Sequence, residues 1–387
     1  MDIPVIIRFK DRVYNDDIKF VKSKGGKVKK HLYLISAISV NLPEESIETI
    51  KNDPYVEFIE EDKQRHILGF PSNHKSTIPK NIQTQNIQTL IQTVPWGITK
   101  IRAPEVHALE NKGKNVKVCI LDTGIDYNHE DLISNYKGGY NFINNTPNPM
   151  DDNGHGTHVA GTISAIDNNI GVIGVAPEVS IYSAKVLDVD GNGYSSDIVE
   201  AITWSINNGI NIISMSLGSL GYSQSEQYIC SYAEDVGITL IAAAGNEGGS
   251  DFNDTVLYPA KYDSVIAVSA IDSNNNRALF SSTGPQVEIS VPGVDILSTT
   301  MYNDYEYWSG TSMACPHVSG AATLMLKKNI YLQSYDIRYL LRTTAIDLGN
   351  LGRDWLYGYG LLDIKSAIDN TPLPPVCQQP TCSLNIV

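Results

Sequence analysis

An α/β fold is predicted for most of this chain: a mostly parallel sheet with helices on both faces, preceded by a small α+β unit. Three observations predict it. From residue 94 onward, strand-like runs, glycine-containing turns and helical stretches alternate many times. The runs at 116–121, 181–186, 210–214, 239–243 and 265–270 are apolar and β-branched without clean alternation, as in strands buried on both faces. The first sixty residues instead mix short strands and helices in a different order.

That first order can be read element by element. Residues 4–10 are rich in β-formers, and residues 15–24 are helical in pattern until Gly25 and Gly26 stop them. Residues 27–40 suit one long or two short strands. Residues 43–52 open on Pro43 and carry Glu44, Glu45 and Glu48 early, which favours a helix start. Residues 55–59 give a last strand. The order β-α-β-β-α-β is the split, ferredoxin-like pattern. In the larger region, helices are expected at 157–166, 195–207, 224–235 and 312–328. Four segments result: a compact unit at 1–68, a linker or N-terminal extension at 69–93, a main domain at 94–370 and a Pro-rich tail at 371–387. The linker's Ile-Gln-Thr repeats are too short for a solenoid.

A net charge of −14 over 387 residues argues against nucleic-acid binding, which needs clustered Lys and Arg. The basic residues gather at 19–30 and 51–65, so the first unit could dock electrostatically on an acidic remainder. No run of 18 apolar residues occurs, and no membrane span is expected. Residues 1–10 lack a basic n-region, so no signal peptide is expected in this chain. A secreted protein is expected, with a cytoplasmic one left open, and a monomer in either case. Five cysteines are too few for a disulfide scaffold, although Cys377 and Cys382 could pair.

Three segments place a reactive side chain beside glycines at a strand–helix junction. Asp122 precedes Thr123 and Gly124 at the end of an apolar run. His155 lies between Gly154 and Gly156 as a helix begins. Ser312 follows Gly310 and Thr311 at another helix start. Alone, each is as easily a turn or a cap. Together they supply a nucleophile, a base and an orienting carboxylate, and open parallel sheets gather such residues at the carboxyl ends of their strands. His155 and His158 also suggest a zinc site, but no Glu base adjoins them.

The sequence resembles the subtilase family of serine peptidases over residues 94–367, through these three segments in the order Asp, His, Ser and a fourth, Ala243-Ala244-Gly245-Asn246. The resemblance implies a calcium-stabilised serine endopeptidase in zymogen form. It implies Asp122, His155 and Ser312 as the triad and Asn246 as the oxyanion donor, with Thr311 nearby. It implies that Ser216, Leu217 and Gly218 on one side, and Gly191, Asn192 and Gly193 on the other, pair with a polypeptide substrate. It implies a pocket walled by Ala243, Ala244 and Gly245. Leu257 falls where many family members have Gly at the pocket floor, so medium apolar residues should be preferred over large aromatics. A catalytically silent peptide-binding protein is the alternative.

The same resemblance maps a structural Ca²⁺ site onto Gln92, Asp131, Ile166, Asn168, Ile170 and Val172, oxygen donors that suit a hard cation. Asp188 to Val199 imitates an EF-hand loop but lacks the Glu required at its twelfth position. Residues 1–68 resemble a subtilase propeptide, an inhibitor that lays its last strand in the cleft. Self-cleavage is then expected at Leu68–Gly69, with a cut nearer Ile91 as the alternative. Cys315, three residues after Ser312, is expected to make activity sensitive to bulky thiol reagents.

Overall fold

The computed structural model describes residues 2–72 and 92–375. The first unit runs β1 (Asp2–Phe9), α1 (Asn15–Ser23), β2 (Lys27–Leu32), β3 (Ala37–Pro43), α2 (Glu44–Lys51) and β4 (Val56–Glu61). Its strands form a four-stranded sheet in the order β2-β3-β1-β4, with β1 antiparallel to both β3 and β4. Val5, Ile7, Phe9, Val21, Ile38, Val40, Leu42 and Ile50 make a separate core between that sheet and its two helices. Beyond it the chain continues as β5 (Gln64–Ile67) and β6 (Phe70–Pro71).

The larger region begins with two short helices, α3 (Trp96–Lys100) and α4 (Ala103–His107). It then alternates through β7 (Lys117–Asp122), β8 (Tyr136–Asn141), α5 (His155–Ser164), β9 (Ser180–Lys185), β10 (Asn192–Tyr194) and α6 (Ser195–Asn207). Next come β11 (Ile212–Met215), β12 (Leu217–Gly218), α7 (Gln224–Asp235), β13 (Thr239–Ala243), β14 (Val265–Ile271) and β15 (Val287–Pro292). The last elements are β16 (Ile296–Thr300), β17 (Asp304–Ser309), α8 (Thr311–Lys328), α9 (Ser334–Thr344) and α10 (Ile364–Asn370).

Among the described residues a seven-stranded parallel sheet forms in the order β15-β14-β13-β11-β7-β9-β8. The five runs expected from sequence are its interior strands. Every residue of β11, β13 and β14 is buried, which is why these runs show no alternation. One face packs α5 and α8 through Val159, Ile163, Met313, Val318 and Leu324; the other packs α6 and α7 through Ile198, Ile202, Ile229 and Ala233. The α/β expectation is borne out. No helix among the described residues is long and apolar enough to cross a membrane.

The first unit docks on the α6–α7 face. Glu60 accepts the backbone N–H groups of Gln224 and Ser225 at 2.7 and 2.9 Å, capping α7, and Asp62 accepts that of Ser196 at 2.9 Å, at the start of α6. Lys30, nearly buried, pairs with Asp197 at 3.0 Å and also with Glu200. Of the basic residues at 19–30, therefore, Lys30 carries docking charge, whereas among the described residues Lys19 and Lys27 pair within the first unit.

Candidate active site

Each reactive side chain stands where a strand or helix begins or ends. Asp122 closes β7 and is wholly buried. Its Oδ1 accepts the Thr123 backbone N–H at 2.7 Å and lies 2.7 Å from His155 Nδ1. With the carboxylate oxygen as acceptor, Nδ1 carries the proton of this bond, and in the neutral ring Nε2 then keeps its lone pair. Nε2 has no hydrogen-bond partner among the described residues. Gly156 permits the close approach of α5 to β7, because a Cβ there would collide with the Gly124 carbonyl oxygen.

Sequence reasoning missed Asp151. This buried carboxylate accepts the N–H groups of Asn153 and Gly154 at 3.0 Å and that of Thr157 at 2.9 Å, and receives the Thr123 hydroxyl at 2.8 Å. It therefore ties the Asp122 turn to the start of α5. The signal was available: an Asp four residues before a helix-opening His is placed to cap that helix.

Ser312 is the second residue of α8, and Asn246 lies just after β13. Between them runs the chain's own segment at Leu68. The Leu68 carbonyl oxygen accepts the Ser312 backbone N–H at 3.1 Å and the Asn246 Nδ2 amide at 2.7 Å. Asn246 is held in that orientation because its Oδ1 accepts both the N–H and the hydroxyl of Thr311, at 3.0 and 2.9 Å. The Leu68 N–H donates to Ser312 Oγ at 3.0 Å, and Ser312 Oγ donates to the Ser216 carbonyl at 2.8 Å. On the other side of the same peptide bond, a Cβ on Gly69 would lie 3.0 Å from His155 Nε2. Ser312 and His155 thus meet around the Leu68–Gly69 bond.

The flanking backbone is a sheet. β5 is antiparallel to β10, pairing His66 with Asn192 and Arg65 with Gly193, and antiparallel to β12, pairing Ile67 with Leu217 and His66 with Gly218. Gly191 contributes its carbonyl to the Ile67 N–H at 3.1 Å. Past the bond, β6 pairs with β17, Phe70 opposite Ser309 and Pro71 opposite Trp308. The Leu68 side chain is buried with Ala243 and Leu257 in the main core. Positions that Cβ atoms on Gly218 and Gly245 would take lie 3.1 Å from Leu257 Cβ and 2.7 Å from Leu257 Cγ, so Leu257 fills the space beneath both glycines.

The six predicted metal-site residues also converge. Gln92 Nε2 lies 2.5, 3.3 and 2.9 Å from Ile166 O, Asn168 Oδ1 and Val172 O. Asp131 Oδ1 accepts Asn168 Nδ2 at 2.8 Å, and Asp131 Oδ2 accepts the Val172 N–H at 3.0 Å and the Tyr305 hydroxyl at 2.9 Å. Ile170 donates its N–H to Asn168 Oδ1 at 3.1 Å. Desolvation pushes the Asp131 carboxyl up to about 6. Three oxygens gathered on one amide beside a buried carboxylate fit a hard cation, since turning the Gln92 amide would add its own oxygen. No group of three His, Cys, Asp or Glu side chains placed to hold a metal ion occurs among the described residues, and Asp131 is the one carboxylate in this set.

The two decoy patterns stay decoys, and one expectation changes. His158 is wholly buried, with Nε2 3.1 Å from the carbonyls of Ile296 and Glu306, and desolvation drops it to about 3; it is a core histidine and no zinc ligand. The EF-hand imitation is a tight turn in which Asp188 Oδ1 accepts the N–H groups of Asp190 and Asn192 at 3.0 and 2.9 Å. Cys315 is inaccessible: its sulfur sits 3.6 Å from Ile241 O, and burial raises the thiol to about 11. The Cys315 expectation is corrected accordingly, because its turn of α8 packs down onto the sheet. The Cys377–Cys382 pairing and a cut near Ile91 lie outside the described residues.

The fold, and a serine, a histidine and a carboxylate gathered at one rim of its sheet, point to the class of serine hydrolases. Comparison with known proteins makes the class definite. The sequence pattern of the Subtilase family (Peptidase S8) matches residues 113–360. Subtilisin E of Bacillus subtilis is 42% identical over 348 residues, covering 90% of this chain and 84% of that one. Subtilisin DY of Bacillus licheniformis is 49% identical over 276 residues, covering 71% and 99%. An alkaline protease of Shouchella clausii is 40% identical over 333 residues, covering 86% and 79%. The chain belongs to the subtilase family, and it is a serine endopeptidase that acts on polypeptides.

Proposed function

We propose that this chain is the zymogen of a calcium-stabilised subtilisin-like endopeptidase that cuts itself at Leu68–Gly69 and is then inhibited by its own residues 1–68. One observation carries the reading: the Leu68 carbonyl oxygen accepts hydrogen bonds from the Ser312 N–H and the Asn246 amide, two donors aimed at the atom that becomes an oxyanion.

In this reading Ser312 Oγ turns about χ1 from the Ser216 carbonyl toward His155 Nε2, gives up its proton and attacks the Leu68 carbonyl carbon. Asp122 holds the imidazole in the tautomer that can accept, and stabilises the imidazolium. His155 then returns the proton to the Gly69 nitrogen, the C–N bond breaks, and water releases the acyl group from Ser312 by the reverse roles. The pairing of β5 with β10 and β12 supports main-chain recognition of other substrates by strand addition. The depth left above Leu257 favours medium apolar residues before the cut. Gln92, Asp131, Ile166, Asn168, Ile170 and Val172 would hold Ca²⁺, which would cross-link the chain and take no part in the chemistry.

N-terminal sequencing of the full chain incubated with Ca²⁺ tests this. A new terminus at Gly69 is expected, with Ser312→Ala remaining intact. A Ser312→Ala chain that processes at the wild-type rate would end the proposal.

A further inference from the structure

Of the residues Gln64 to Gly69 that line the cleft, two are buried: Leu68 and Arg65. Arg65 is fully enclosed, unusual for a guanidinium, and belongs to the strand in the substrate position, four residues before the Leu68–Gly69 bond counting Leu68 as the first. Its Nη2 pairs with the carboxylate of Glu226, whose side chain is equally enclosed, and its Nε lies 3.5 Å from the other carboxylate oxygen. Its Nη1 donates to Ser219 Oγ at 2.7 Å and to the Gln64 carbonyl at 3.1 Å.

Glu226 belongs to the larger domain. It sits in the first turn of α7, its N–H donating to Ser223 Oγ at 3.2 Å, and Ser195 Oγ donates to its Oε2 at 3.0 Å. Tyr262, with its hydroxyl donated to Ser223 O at 2.8 Å, packs against Tyr258 with ring centroids 4.8 Å apart. Ser195 gives this carboxylate a neutral donor, and the guanidinium supplies the counter-charge and further donors side-on. A neutral side chain in that place would leave a desolvated carboxylate without a counter-charge, and an apolar one would add no donor. Lysine, a single point charge, would not reproduce the two-point approach.

We propose that Glu226 makes this cleft selective for arginine at the fourth residue before the scissile bond, so that preferred substrates carry Arg-x-x-Leu. Glu226 is a specificity-determining residue supported by Ser195 and Ser219. The proposal rests on β5 standing where substrates lie, and so on the reading given above.

The test uses the full chain, incubated with Ca²⁺ until its activity is constant, and peptides Xaa-His-Ile-Leu joined to a chromogenic amine, with Xaa Arg, Lys, Gln or Leu. The arginine peptide should exceed the leucine peptide by about 10²-fold in kcat/KM and the lysine peptide by about tenfold. Glu226→Gln should shrink the arginine advantage, and Glu226→Leu should invert it while raising turnover of the leucine peptide. Equal rates for arginine and leucine peptides in the wild type would overturn the proposal. So would an arginine preference that survives Glu226→Leu. The wild-type series decides alone if a Glu226 variant fails to fold. Sequencing the same samples separates the two readings. A Gly69 terminus without arginine preference removes only the subsite, whereas arginine preference without that terminus removes only self-processing.

Discussion

Asn246 Nδ2 lies 2.7 Å from the carbonyl oxygen of Leu68, and the Asn246 amide cannot turn over without breaking both of its bonds from Thr311. A fixed donor at this oxygen strengthens as negative charge develops there. Asn246→Ala should therefore slow processing at Leu68–Gly69 by about 10²–10³-fold, the figure known for a subtilisin donor of this kind. A gel time course of full-length chain disappearance checks it; a rate within threefold of wild type would show that the amide contributes only to the ground state.

Leu257 predicts a specificity change. With its side chain beneath Gly218 and Gly245, a phenylalanine in place of Leu68 should process at least about tenfold more slowly, because overpacking a filled site costs about 1–3 kcal/mol. Leu257→Gly should restore Leu68→Phe toward the wild-type rate. Restoration would be read as the double variant outpacing the single one.

The calcium reading predicts that chelation lowers the unfolding temperature without altering initial rates measured at once. At a free cation concentration a hundred times Kd, the stabilisation is about 2.7 kcal/mol. Asp131→Ala should abolish the difference between melting curves with and without chelator. A variant that keeps the full difference would place the cation elsewhere.

His317 gives a pH dependence with a definite sign. It is wholly buried, its Nδ1 lies 2.9 Å from the Met313 carbonyl, and desolvation lowers it to about 4. A histidine depressed on folding adds stability that is present above about 6.5 and lost as pH falls toward 4. In a Ser312→Ala background, taking pH from 7 to 5 should cost the His317 chain about 2 kcal/mol more than a His317→Asn chain, measured by urea unfolding. Comparing the two chains cancels buried carboxylates such as Asp197, which is raised to about 6 and acts oppositely between about 4 and 6.

Local pattern carried the fold class and the outline of the site; contact between distant segments carried the rest. The helices at Ser195–Asn207 and Gln224–Asp235 have the limits their sequence suggests, because Ser195 and Ser223 mark starts and polar turns mark ends. β8 was illegible since YKGGYN holds two glycines and no β-branched residue, and its place at the sheet edge is set by pairing with β9. Asp122, His155 and Ser312 were visible because each stands beside glycines at the end of an element. Tyr305 was not: it reaches Asp131 across 174 residues with no motif around it. Arg65 and Glu226, 161 residues apart, share no motif that links them, and only the fold brings them together.

Glu60 and Asp62 stand at the openings of two neighbouring helices, α7 and α6. Helix poles of equal sign lying side by side repel, and these two acids quiet that repulsion from outside the domain that owns the helices. The bond between the two units is therefore partly ionic, and dissolved salt competes for it at the exposed margin. If the first unit is severed as proposed, how long it lingers becomes a property of the surrounding electrolyte as much as of the chain, longest in dilute buffer and shortest in brine.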